Sequence, residues 1–195
     1  MKKPNNWDNV KAASERVKLP AGGYEAKIIG AKVVSYDGSN GAYERLEIAV
    51  DITAGEYKDY YKQDYDSNTR DDKKWRGVAR FYVPTDDGSE KDEYTKSVLK
   101  GVTDAIEESN SGYHWDWDET KLKGLKVGIL VRDKEYEIDG RHGFAPEIFR
   151  FADIKRIKDG KFTAPKPKML KGSAADAAPA SAVSVGAPAD DDYPF

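Results

Sequence analysis

The sequence has no cysteine, which removes disulfide frameworks, thiolate metal sites and thiol nucleophiles together. Histidine occurs twice, at His114 and His142. The two are far apart and lack the i, i+4 spacing of a helical metal site, so each reads as a surface or locally hydrogen-bonded residue. No stretch approaches the roughly 20 apolar residues of a membrane-spanning helix. Met1-Lys2-Lys3 leads into Pro4, Asn5 and Asn6 rather than an apolar run, unlike a secretory signal. A cytoplasmic protein without a disulfide or a cofactor is the expectation. No Walker-type phosphate loop and no repeat of fixed period is present.

A strong excess of positive charge is also missing. Lys and Arg number 32 against 35 Asp and Glu, for a net charge of −3. Four of those acids (Asp176, Asp190, Asp191 and Asp192) lie beyond Gly172, where no Lys or Arg occurs, so residues 1–171 carry 32 cations against 31 anions. Any surface for a polyanion must come from local segregation of charge rather than from a basic domain.

What the chain does contain is alternation. Residues 1–18 form a polar extension in which Trp7, Val10 and Val17 sit at spacings one face of a short helix can share. Leu19-Pro20-Ala21-Gly22-Gly23 is a turn. Tyr24–Tyr36 reads as a long first strand interrupted at Gly30, the mark of a bulge or bend. After the turn Asp37–Gly41, Leu46, Ile48, Val50 and Ile52 alternate strictly with Arg45, Glu47, Ala49 and Asp51, a half-buried second strand. A polar insertion over 54–75 precedes a third strand, Arg76–Val83. Ser89-Glu90-Lys91-Asp92 has the form of a capping box, and the helix it opens carries Tyr94, Val98, Leu99, Val102, Ala105 and Ile106 on one stripe. Further strands are predicted at Leu125–Arg132 and, after the turn at Asp139-Gly140, from Phe144 to Ile157 with a break near Ala145-Pro146. Three strands, one helix, two strands is the element order of a five-stranded OB-fold barrel, whose helix lies between the third and fourth strands. The expected fold is therefore mainly β, with this barrel occupying residues 1–162.

Composition changes again after Phe162. Thr163–Lys168 is basic and Pro-stiffened, and residues 172–189 are almost wholly Ala, Ser, Pro, Val and Gly, too small to build a core. Residues 163–189 read as a disordered linker. The chain then ends Asp190-Asp191-Asp192-Tyr193-Pro194-Phe195. Pro194 holds its own φ near −65° and biases Tyr193 toward extended backbone, so the end offers an aromatic anchor, a carboxylate and a run of negative charge. An apolar pocket rimmed by Lys or Arg reads all three.

This terminus resembles the acidic tip of bacterial and phage single-stranded DNA-binding proteins, which typically ends Asp-Asp-Asp-Ile-Pro-Phe; Tyr193 is the one departure. The resemblance covers six residues of 195 and does not extend residue by residue into the body. It implies an OB domain that coats single-stranded DNA, and a tip that recruits replication, recombination or repair proteins. It also implies a location in the cytoplasm, the host's if the chain is phage-encoded. Oligomerisation is compatible with the sequence. Rival readings are a strand-annealing or recombination-mediator protein, and an OB adaptor that binds only proteins.

Single strands are held by aromatic faces that stack bases and by cations that follow phosphates. The second and third strands are the usual face in an OB barrel. The densest mixture of rings and cations lies there, giving Tyr57, Lys58, Tyr60, Tyr61, Lys62, Trp75, Arg76, Arg80 and Tyr82 as the candidate DNA-binding set. Any one of these tyrosines is equally suited to packing beneath the insertion, which also holds Glu56, Asp59, Asp64, Asp66, Asp71 and Asp72. Those carboxylates raise a metal-dependent nuclease as an alternative, but they fall in a loop with no rigid element to set metal geometry. Trp115 and Trp117 form a second ring pair, read as core or loop anchors, and Lys121, Lys123 and Lys126 as a solvated edge.

Overall fold

The computed structural model describes residues 2–5, 7–9, 17–38 and 41–170. Residues 171–189 of the expected linker, the tip at 190–195 and the proposed helical face through Val10 lie outside them. Near the N-terminus a single 3-10 turn covers Trp7–Asn9.

Five antiparallel strands make one sheet in the order β3-β2-β1-β4-β5. They are β1 (Gly22–Gly38), β2 (Gly41–Ile52), β3 (Val78–Tyr82), β4 (Lys126–Ile138) and β5 (Arg141–Ala152). Helix α1 (Tyr60–Ser67) lies between β2 and β3, α2 (Glu90–Ser109) between β3 and β4, and α3 (Ile154–Lys158) after β5. The mainly β character, the strand number and the long helix after β3 follow the sequence reading. The closed barrel does not: among the described residues β3 and β5 share no ladder. They meet through side chains, Phe81 edge-on to Phe151 with ring centroids 5.3 Å apart.

Each element has a local cause. The register of β1 on β2 shifts between Ile28 and Gly30, the bulge expected there. On β2, Leu46, Ile48, Val50 and Ile52 are buried while Arg45, Glu47 and Ala49 are half-buried on the other face. At the N-terminus of α2 the Ser89 hydroxyl accepts the Asp92 N–H at 3.1 Å. The reciprocal half of the box is replaced: the Asp92 carboxylate accepts from the N–H groups of Thr85 (2.8 Å) and Asp86 (3.1 Å), fixing the preceding loop instead. The stripe Leu99, Val102, Ala105 and Ile106 is buried against the sheet.

Two predicted strand limits move. β4 runs six residues past Arg132, and β5 starts at Arg141 because Asp139 (φ 52°) and Gly140 (φ 73°) form a two-residue turn of the kind that closes hairpins. Pro146 does not break β5, which among the described residues is an outer strand with no further neighbour needing its N–H. Beyond Ala152 the chain turns into α3, capped by the Asp153 side chain on the Lys155 N–H, so Ile157 enters the core from a helix.

The ordered body also extends past residue 162. Lys168 pairs in parallel with β4: its N–H donates to Asp133 O and its carbonyl accepts from Glu135 N, both at 2.8 Å. The Leu170 N–H donates to the Glu135 carboxylate at 2.9 Å. The first part of the expected linker is thus a strap covering the β4 edge beyond the end of its pairing with β1.

Candidate nucleic-acid interface

Directly opposed residues of antiparallel strands point to the same face. Pairing therefore sets Lys32, Glu47 and Arg80 in one row, Val34, Arg45 and Tyr82 in the next, and Tyr36 with Tyr43 in a third. This is the side of β1-β2-β3 away from the core. Tyr36 and Tyr43 stack at 5.4 Å and 15°, and Tyr43 lies 5.5 Å from Tyr82. The Arg45 guanidinium sits 4.7–5.3 Å from all three ring centroids, and its Nη2 donates to the Tyr82 hydroxyl at 2.7 Å.

Glu47 is the carboxylate at the centre of this face. It accepts from the Tyr36 hydroxyl (2.7 Å) and from Arg80 Nε (3.0 Å), with Lys32 Nζ at 3.9 Å. Burial opposes its ionisation, but the hydrogen bonds from Tyr36 and Arg80 and the two cations outweigh it and hold its pKa below the ordinary value. The bond to Glu47 in turn raises the Tyr36 hydroxyl pKa. Three cations against one carboxylate, interleaved with three rings, is the combination that stacks bases and follows phosphates.

Of the residues read from sequence, Arg80 and Tyr82 stand on this face. The rings of the insertion mostly serve packing. Tyr61 is 3% exposed and has no face to offer a base. Tyr24, Tyr57, Tyr60 and Tyr61 form a chain of edge-to-face contacts with centroids 5.2–6.4 Å apart. Burial, reinforced by Tyr57, Tyr60 and Glu56, pushes the Tyr24 hydroxyl up to about 12. Trp75 donates its indole N–H to Val50 O at 3.0 Å. Gly77 closes the same junction, since a Cβ there would lie 2.5 Å from the Tyr61 ring and 2.6 Å from Val50 O.

The three remaining cations are dispersed. Lys58 is exposed, Lys62 pairs with Asp66, and Arg76 reaches Asp64 at 3.5 Å. The tip residues Asp190–Phe195 lie outside the described residues. Among those described, no group of three or more His, Asp or Glu is arranged to hold a metal ion, and no helix is long and apolar enough to cross a membrane.

Sequence reasoning missed Lys32, Tyr36, Tyr43 and Arg45. The alternation of Tyr43 and Arg45 with Leu46 and Ile48 was a usable signal; for Tyr36 the bulge hid it. No family model matches the chain, and no curated protein matches it either.

Proposed function

We propose that the chain is a non-enzymatic single-stranded DNA-binding protein of replication or recombination, of the phage or bacterial type. Its body is an OB-type domain that grips DNA on the outer face of β1-β2-β3, and its terminal Asp190–Phe195 tip recruits partner enzymes. The carrying observation is the Tyr36-Tyr43-Tyr82 cluster around Arg45, with Lys32 and Arg80 beside it. Support for the OB reading comes from the order three strands, long helix, two strands, and from Phe81 on β3 touching Phe151 on β5. Support for the tip rests on its sequence.

Anisotropy of labelled oligo-dT tests the reading. Binding should prefer single strands to duplex and weaken with salt at a slope of about −0.7 per phosphate neutralised. Tyr43→Ala should reduce affinity by about 1–3 kcal/mol, the loss of one stacked base, whereas Tyr57→Ala should lower stability and spare affinity. A chain that ignores oligo-dT at low ionic strength ends the proposal.

A further inference from the structure

The β1–β2 hairpin has a second face. Val33 and Leu46 pair across it and point away from the tyrosines, because side chains alternate along a strand. With Val83 after β3, Leu99 on α2, and Trp115 and Trp117 in the loop beyond α2, they line a cleft of about 580 Å³. That volume lies within the range of ligand pockets.

Three features mark it as a place where something docks. Val33 and Trp117 leave apolar surface open, at 41% and 68% exposure. Trp117 is held at φ 68°, a left-handed conformation unfavourable for a bulky side chain, with its ring 5.0 Å from that of Trp115. The Trp115 indole N–H is buried with no acceptor among the described residues, a state that costs free energy until an acceptor arrives.

Charge selects the occupant. Lys96 and Lys100 stand at the cleft, but Lys96 is shared among Asp86 (2.9 Å), Asp92 (2.9 Å) and Glu93 (3.1 Å), and Lys100 pairs with Asp104. Two ammonium groups thus pair with four carboxylates, and Glu119 lines the cleft as a fifth. Asp116 and Asp118, on either side of Trp117, share Lys121. A DNA strand carries the wrong sign for this site, and so does the chain's own Asp190–Asp192.

We infer that the cleft docks a cationic peptide segment of another protein. A large apolar side chain seats against Val33, Leu99 and the two indoles, and flanking Lys or Arg residues meet the carboxylates. A backbone carbonyl takes the Trp115 N–H once Trp117 shifts. Cleft and tyrosine face lie on opposite sides of the hairpin, so filling one leaves the other open, and this inference stands independently of DNA binding.

The probe is a labelled Lys-Phe-Leu-Lys-Lys-Phe-Leu-Lys peptide, titrated with the full chain and compared with a version carrying Glu for every Lys. The Lys peptide should saturate and the Glu peptide should not bind. Trp117→Ala should weaken the Lys peptide about tenfold, as expected for an aromatic anchor, and Glu119→Lys should weaken it too, both leaving oligo-dT affinity unchanged. Equal binding of the two peptides, or a Trp117→Ala chain that binds like the parent, overturns the inference. So does tighter peptide binding on deleting residues 190–195, which makes the tip the occupant. Loss of oligo-dT binding in Trp117→Ala also overturns it, by placing the cleft on the strand path.

Discussion

Glu47 is an unexpected residue on a face proposed to follow a phosphate chain, and its surroundings explain how it fits there. The Tyr36 hydroxyl, Arg80 and Lys32 all turn toward it, so part of the positive charge of the face is spent internally. Its folded-state pKa lies below the ordinary 4.5. Ionised Glu47 therefore stabilises the fold above that ordinary value, and the stabilisation is lost as pH falls through the depressed one. Glu47→Gln should flatten this acid limb in thermal melts taken from neutral pH downward. It should also free Arg80 and Lys32 for phosphates, so that oligo-dT binds more tightly and the salt slope steepens. A variant with unchanged affinity and unchanged slope would show that the DNA path avoids this row.

At the scale of elements, α1 depends on a strand for its start. Its N-cap Asp59 makes no side-chain capping bond. Instead Asp51 of β2 accepts from the N–H groups of Tyr61 (3.0 Å) and Lys62 (3.3 Å), as well as from Ile52 (2.9 Å). Asp51 is 8% exposed, and burial raises its pKa despite these bonds. Asp51→Ala leaves buried donors unsatisfied and should cost about 1–3 kcal/mol in urea unfolding. Asp51→Asn keeps the oxygen that serves Ile52 and Tyr61 and should cost much less; equal losses would refute the capping role.

The same junction explains what sequence could and could not reveal. Strict alternation made β2 legible from Leu46 to Val50, while Asp51, on the polar side of that alternation, is buried where it caps α1; the capping serine with its apolar stripe made α2 legible. Ring density in 54–75 misled, because a tyrosine's usefulness to a base depends on which way it points. Tyr57, Tyr60 and Trp75 point to β2 and its neighbours. In β1 the difficulty was phase. Without the shift near Ile29, Tyr36 would share a face with buried Ala26 and Ile28; the extra residue turns it outward beside Arg45.

Across the whole molecule, charge is segregated although the total is nearly balanced: cations and rings gather outside β1-β2-β3, carboxylates around α2. Where the folded body stops decides how the terminal tip can be presented. Composition put that limit at residue 162, because Pro, Lys and small residues cannot build a core. The strap shows why composition was insufficient, since Lys168 is held by backbone bonds that any non-proline side chain permits. Its bonds satisfy a stretch of β4 that β1 no longer covers, an edge otherwise open to pairing with a second chain. Ending the chain after Leu170 should leave the melting temperature and oligo-dT affinity close to those of the full chain. Ending it after Phe162 removes two strand bonds and the Leu170–Glu135 contact, a loss of about 2 kcal/mol or a fall of roughly 4–8 °C, and should raise the tendency to associate in light scattering. If both truncations melt together, the strap contributes nothing to the fold, and the tip is tethered from α3 rather than from the β4–β5 arm.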